Sequence, residues 1–308
     1  MDLDKAIRIG VPAAWTVFSV VMLATSGVPQ SHGLIFVWVC LGMAAFSASD
    51  ARRRLPRLVL EWTPFILVLL LYDLLRGYAD GLVFHAHELP QLHLETWLFG
   101  GTTPTVWLQA HLWHGPGHLH WWDYTSWFVY MTHFLATTFV AAALWTWAHD
   151  RFARFATMVC ALALTGYATY VLYPAVPPWM AAQDGNLGRA NRVVPVVWAQ
   201  VPVEHLNAVF RHGLQYANNV AAMPSLHAAY ALLLSLYLWR LTPRWLRPLL
   251  ALYPLAMSFA LVYGAEHYVV DCVAGWVYAT AVFVGVNWAF DRWLAPAPRR
   301  SVEPALVD

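Results

Sequence analysis

Apolar residues gather along this chain in eight blocks, at about residues 9–28, 33–49, 58–76, 122–148, 155–173, 224–240, 248–265 and 268–291. Each block is close to the roughly 20 residues an α-helix needs to cross a bilayer core of about 30 Å. The pattern predicts an all-α integral membrane protein with about eight transmembrane helices. Between the blocks, two long polar segments stand out, at about residues 77–121 and 174–223. The last stretch, from Ala295 to Asp308, is polar and Pro-bearing and is expected to be loose.

Composition agrees with this reading. Of 308 residues, 60% are hydrophobic and only 11% charged, and the spans use up most of the length, leaving one helical bundle rather than a string of domains. Cys40, Cys160 and Cys272 all fall inside apolar blocks, so buried free thiols are expected rather than a disulfide framework. The net charge of +1 decides nothing, but its distribution does. With a cytoplasmic N-terminus, the inner segments hold Lys5, Arg8, Arg52, Arg53, Arg54, Arg57, Arg151, Arg154, Arg240, Arg244, Arg247, Arg292, Arg299 and Arg300, which is 14 of the 18 basic residues. An even number of spans then returns the C-terminus to the same side. Lys5 and Arg8 ahead of an apolar run ending near Ala24 and Ser26 also fit a signal peptide. The length of that run and the parity of the spans favour a membrane helix.

Only Arg76, Arg189, Arg192 and Arg211 remain for the outer side, where the two long segments also carry ten of the 14 histidines, counting His227 at their edge. Chemistry is therefore expected to face away from the cytoplasm. Two motifs support that. In Met223-Pro224-Ser225-Leu226-His227, Pro224 suits the first turn of a helix, and the free N–H groups of Ser225, Leu226 and His227 would make an anion site aided by the helix dipole. Ser225 adds a hydroxyl donor, and His227 can give a proton to a departing alkoxide. In His267-Tyr268-Val269-Val270-Asp271, the histidine and aspartate stand four apart on one helix face. A carboxylate bonded to one ring nitrogen fixes the tautomer and leaves the other nitrogen free to attack. An aspartate inside a span is costly unless it is employed or paired. The topology lets His227 and His267 meet at one membrane level, which points to a phosphohistidine enzyme.

With these residues the chain resembles the type-2 phosphatidic acid phosphatase superfamily, and particularly the branch that contains inositol phosphorylceramide synthases. That branch has Pro-Ser-Leu-His where lipid phosphatases usually have Pro-Ser-Gly-His. It also has His-Tyr-x-x-Asp-x-x-x-Gly, matched by His267, Tyr268, Asp271 and Gly275. Tyr173-Pro174-Ala175-Val176-Pro177-Pro178-Trp179 resembles its proline-rich signature. The resemblance covers roughly residues 58–291. It implies a six-helix catalytic core over residues 58–293, preceded by a two-span hairpin and basic loop at 1–57 and followed by a cytoplasmic tail at 294–308. By matching position, His267 is the nucleophile, Asp271 its orienting partner and His227 the acid that later activates the acceptor, while Ser225 holds a phosphoryl oxygen. Two elements of the phosphatase pattern are missing. Its Ser-Arg pair is replaced by Ala260 and Leu261, and its Lys-x6-Arg-Pro element is absent. An outer arginine must then meet the phosphate charge, with Arg76 first, Arg192 next and Arg189 as a further headgroup contact. Arg76 also stands three residues after Asp73, a spacing that suits a local ion pair at a helix end.

Tyr130 and His133, three apart inside a span, must find partners in the bundle and can line the substrate cavity. His111, His114, His118 and His120 invite a metal reading, His114 and His118 at helix-compatible spacing, but no cysteine or carboxylate completes the set and Gly115, Pro116 and Gly117 interrupt the helix. No cofactor and no metal are expected. Nor is there a Gly-rich nucleotide loop, an internal repeat or a basic nucleic-acid surface. The 18 Trp and 14 Tyr fit interfacial belts and lipid contact. The resemblance thus implies a membrane phosphotransferase that moves a phospho-alcohol headgroup, phosphoinositol among the candidates, from a phospholipid donor. If water replaces the lipid acceptor, the same site is a hydrolase of phosphatidate, phosphatidylglycerophosphate or a polyprenyl phosphate. A third reading, a non-catalytic transporter or metal-binding membrane protein, would need His114 and His118 and dispense with His227 and His267.

Overall fold

A computed structural model describes residues 3–26, 32–78, 85–200 and 220–294. In chain order the described helices are α1 (Leu3–Ser26), α2 (His32–Phe46), α3 (Ala51–Tyr78), α4 (Leu89–Leu98), α5 (Pro104–Leu112), α6 (Trp121–Trp147), α7 (His149–Leu172), α8 (Pro178–Gln183), α9 (Val193–Gln200), α10 (Leu226–Leu238), α11 (Arg247–Tyr263) and α12 (Val269–Ala289). Eight of these, α1, α2, α3, α6, α7, α10, α11 and α12, occupy the eight apolar blocks, and the protein is an all-α integral membrane protein. Among the described residues six helices are long and apolar enough to cross a bilayer, while Gly33–Phe46 and Leu226–Leu238 are shorter.

The boundaries move where charge, not apolar periodicity, carries the helix onward. α3 starts at Ala51, so Arg52, Arg53, Arg54 and Arg57 form its first turns instead of a loop. α7 starts at His149, with the single residue Ala148 between it and the end of α6, and takes Arg151 and Arg154 into helix. Arg154 there binds Asp291 at 2.7 Å and Asn287 Oδ1 at 3.0 Å, which ties α7 to the last turn after α12.

Six helices form the main bundle. α10 lies among α6, α7, α11 and α12, and α3 packs on α7. α2 bridges α3 and α6, and α1 packs on α2. The interior is apolar and aromatic, with Trp62, Phe155, Met158, Leu162 and Leu233 almost wholly buried. Burying each such side chain is worth about 1.5–3 kcal/mol where the comparison is with water.

Chain direction sets the two ends. The N-termini of α6, α10 and α12 meet the C-termini of α7 and α11 at one end, and Arg151, Arg154, Arg244 and Arg247 lie at the other. The first end is roofed by the two long segments between the apolar blocks. α4 packs on α12, α5 on α11 and α9 on α6. Beneath this roof His87, Ala175 and Ala221 run side by side in parallel bridges. Gln109 staples two pieces together: its amide donates to the carbonyls of Asn191 (2.8 Å) and Tyr263 (2.7 Å) and accepts from Asn191 N–H (2.7 Å).

Candidate active site

The two motifs sit on neighbouring helix starts. α10 begins at Leu226, not at Pro224, with Ser225 as its cap: Ser225 Oγ accepts the Ala228 N–H at 3.3 Å. α12 begins at Val269, and Asp271 Oδ2 accepts the Tyr268 N–H at 2.8 Å. The two starts are sewn together by Ser225 N–H donating to Asp271 O at 3.0 Å. Gly275 makes this approach feasible, because a Cβ there would lie 2.2 Å from the Ser225 carbonyl oxygen. Ser225 N–H is thus spent inside the protein, which removes it from the anion site anticipated at this helix end. Ser225 is fully buried, and its side chain also lies in hydrogen-bonding contact with that of Cys272.

The His227 and His267 rings lie 5.6 Å apart, centroid to centroid. His267 Nδ1 is 2.9 Å from the Ala222 carbonyl oxygen and 3.7 Å from Asp271 Oδ2. A carbonyl can only accept, so Nδ1 carries the hydrogen and Nε2 presents its lone pair. The tautomer was expected to be held by Asp271, but Ala222 holds it. Asp271 Oδ2 stands 3.7 Å from the ring nitrogen and caps the helix with the same oxygen. The Ala222 carbonyl is in turn placed by the roof, since Ala222 N–H donates to Ala175 O at 3.2 Å and Ala175 N–H to Val220 O at 2.7 Å. The proline-rich stretch therefore reaches the candidate nucleophile through one carbonyl.

Tyr130 and His133 both pack on His227. The Tyr130 ring stacks on it at 4.9 Å and the His133 ring lies 4.0 Å away. Leu261, standing where the phosphatase pattern has arginine, is fully buried in an apolar cluster with Tyr130 and Ala228. Its carbonyl accepts the N–H groups of Glu266 (2.9 Å) and His267 (3.3 Å).

Of Arg189 and Arg192, the two described candidates for meeting the phosphate charge, Arg192 comes to this place. Its Nε and Nη2 donate to the two carboxylate oxygens of Glu266, at 2.8 and 3.0 Å, and its guanidinium lies 4.8 Å from the centroid of the Trp179 ring. Burial opposes the Arg192 charge, but the Glu266 carboxylate outweighs it and holds the guanidinium pKa above its ordinary value. Glu266 directly precedes His267, so the cation is anchored one residue from the candidate nucleophile. Arg189 is exposed in the loop before it. The side chain of Arg76, with that of Asp73, and all of Arg211 lie outside the described residues.

Glu95 was not singled out from the sequence. It is fully buried on α4, and its two oxygens accept the N–H groups of Val269 and Val270 at 3.2 Å each. Burial pushes its carboxyl up to about 7, against the pull of those two N–H groups, with the Asp271 charge adding to the rise. The one sequence signal available was a carboxylate in a segment otherwise rich in histidine. Tyr173, stacked on His87 at 4.3 Å, also has its hydroxyl pKa raised, by burial and then by the Asp271 charge.

The histidine-rich loop takes a different form from a helix-borne ligand pair. α5 stops at Leu112 and Gly115 turns the chain at φ 97°, so His114 and His118 never share a helix face. His114 Nδ1 pairs with Leu112 O, and the His120 ring stacks on Trp122 at 4.4 Å. Among the described residues no three His, Cys, Asp or Glu side chains gather closely enough to hold a metal.

A family model described as PAP2 superfamily matches residues 92–285. Phosphoinositol dihydroceramide synthase from Bacteroides thetaiotaomicron is 28% identical over 156 residues, a stretch covering 46% of the chain and 44% of that protein. The chain therefore matches less than half of that relative's length. No solved structure matches the chain.

Proposed function

Because the chain belongs to the PAP2 superfamily, we propose that it is a membrane enzyme that transfers a phospho-alcohol headgroup between lipids through a phosphohistidine at His267. The observation that carries this reading is the pairing of His267 and His227 at 5.6 Å across two sewn helix starts, with Asp271 beside the first. His267 Nε2 attacks the phosphorus of the donor phospholipid, and the bond from phosphorus to the diacylglycerol oxygen breaks. His227 gives that oxygen a proton, and diacylglycerol departs. In the second half an acceptor hydroxyl gives its proton to His227 and attacks phosphorus. The N–P bond breaks and His267 is restored. Oriented donors must meet the phosphoryl charge in both halves, a duty we assign to Arg192, the Ser225 hydroxyl and the start of α10.

The similarity to a phosphoinositol dihydroceramide synthase supports phosphoinositol as the transferred group and a dihydroceramide-like alcohol as acceptor. The gathering of Arg151, Arg154, Arg244 and Arg247 at the end opposite the site supports a cytoplasmic location for that end and an extracytoplasmic active site. The decisive experiment incubates purified protein with phosphatidylinositol, phosphatidate or phosphatidylglycerophosphate, each with and without dihydroceramide, and identifies products by mass spectrometry. Diacylglycerol together with phosphoinositol-dihydroceramide is expected. Product release independent of acceptor identifies a hydrolase instead. Full activity in His267→Ala overturns the mechanism.

A further inference from the structure

At the start of α12 the first backbone donors are already taken. Tyr268 N–H goes to Asp271, and the next two, Val269 and Val270, go to Glu95. Two carboxylates therefore occupy the helix end where an incoming phosphate would otherwise be drawn. The second comes from a different helix, 174 and 175 residues away in the chain. A wholly buried carboxylate is expensive to keep, and burial is the largest influence acting on this one. Asp271, on the same helix start, adds like charge, and Glu88 at the N-cap of α4 is close enough for its charge, like that of Glu95, to act on the Tyr268 hydroxyl. A helix start needs only capping, which water or a local side chain can supply at its surface. Capping of this one from a distance, against an unfavourable field, has a specific result. The turn between His267 and Asp271 is gripped from outside at its middle two residues.

We propose that Glu95 is a positioning residue, holding the Tyr268–Val270 turn so that His267 keeps its Ala222 partner and its attack line while Asp271 stays beside the ring. This rests on the phosphohistidine reading. The proposal also assigns a role to α4, a short helix of the roof that packs on α12 and otherwise carries no chemistry. Loosening the turn by a fraction of an ångström leaves lipid binding alone, because Glu95 is closed off from the surface, but spoils the geometry of attack.

Two measurements on the full-length protein in detergent test it. The first follows amide hydrogen exchange in the peptide spanning residues 267–271. Glu95→Gln, which can accept from only one of the two N–H groups, should accelerate exchange there by about tenfold or more, with the rest of α12 unchanged. The second measures phosphoinositol transfer from phosphatidylinositol to dihydroceramide. Glu95→Gln should lower kcat by about 10- to 100-fold, the scale of a small misplacement of reacting groups, with KM within about twofold of wild type. Glu95→Asp should recover part of the loss. Unchanged exchange in Glu95→Gln overturns the proposal even without an assay, as does an unchanged kcat or a loss shared equally by KM and thermal stability. Full turnover by His267→Ala, in contrast, overturns the phosphohistidine reading while leaving the exchange result to judge the clamp.

Discussion

Gly275 and Ser225 touch backbone to backbone: a Cβ on the glycine would sit 2.2 Å from the Ser225 carbonyl oxygen and 3.3 Å from Ala229 N. The glycine lets α12 lie against the capped start of α10, and that contact sets the separation of His267 from His227. Gly275→Ala must push the two helix starts apart or distort one of them, since both clashing atoms are backbone. Overpacking of this kind costs about 1–3 kcal/mol. Turnover should fall at least as far as stability, and a thermal-shift measurement beside the transfer assay checks both. Wild-type activity in Gly275→Ala would show that the spacing is not set here.

On the proposed mechanism His267→Ala should abolish turnover. His227→Ala should lower it by about 10²- to 10⁴-fold, the range of general acid–base assistance. Asp271→Asn keeps the Tyr268 cap but removes the charge 3.7 Å from the ring. It should therefore reduce rate without unfolding the helix start. Steady-state kinetics with circular dichroism on each variant separates chemistry from folding.

Arg192 is fixed by a bidentate bond to Glu266, the residue directly before His267. Arg192→Ala should cost about 10²-fold in turnover, the scale of losing one well-placed donor, and Arg192→Lys should restore only part because the fork is lost. Glu266→Gln keeps the size but weakens the anchor, so a smaller loss is expected. If all three keep at least half of the wild-type rate, the phosphate is held by neutral donors.

Glu95 gives stability a pH dependence whose sign follows from its raised pKa. Folding lifts its carboxyl from 4.5 to about 7, so the folded state prefers the protonated form. That contribution is complete below about 4.5 and is lost as pH climbs through about 7. The apparent Tm of the wild type should decline across this interval more steeply than that of Glu95→Gln. Scanning fluorimetry at constant ionic strength decides, and parallel slopes would contradict the assignment.

The loop after α8 offers a test of sidedness. Asp184 is exposed there, and Asp184→Cys should react with impermeant thiol reagents from outside intact cells if the site is extracytoplasmic. Cys40, Cys160 and Cys272 should be replaced first, because all three are free thiols. Labelling seen only after lysis would invert the proposed topology.

Much of the architecture was legible before any coordinates. Run length located the six longer apolar helices, since a helix that satisfies its own backbone in lipid needs about 20 apolar residues whatever its neighbours do. The spacing of His267 and Asp271, and the position of both motifs at span ends on one side, also follow from local geometry and connectivity. What the tertiary structure decided are the contacts between distant positions. It brought Tyr130 and His133 onto His227, paired Arg192 with Glu266, and gave His267 Nδ1 to a carbonyl held by the proline-rich stretch. It also sent Glu95 across 174 residues to the start of α12. Periodicity records which face of a helix is apolar, but not which polar group from another segment will satisfy a buried N–H. That choice depends on how the helices pack.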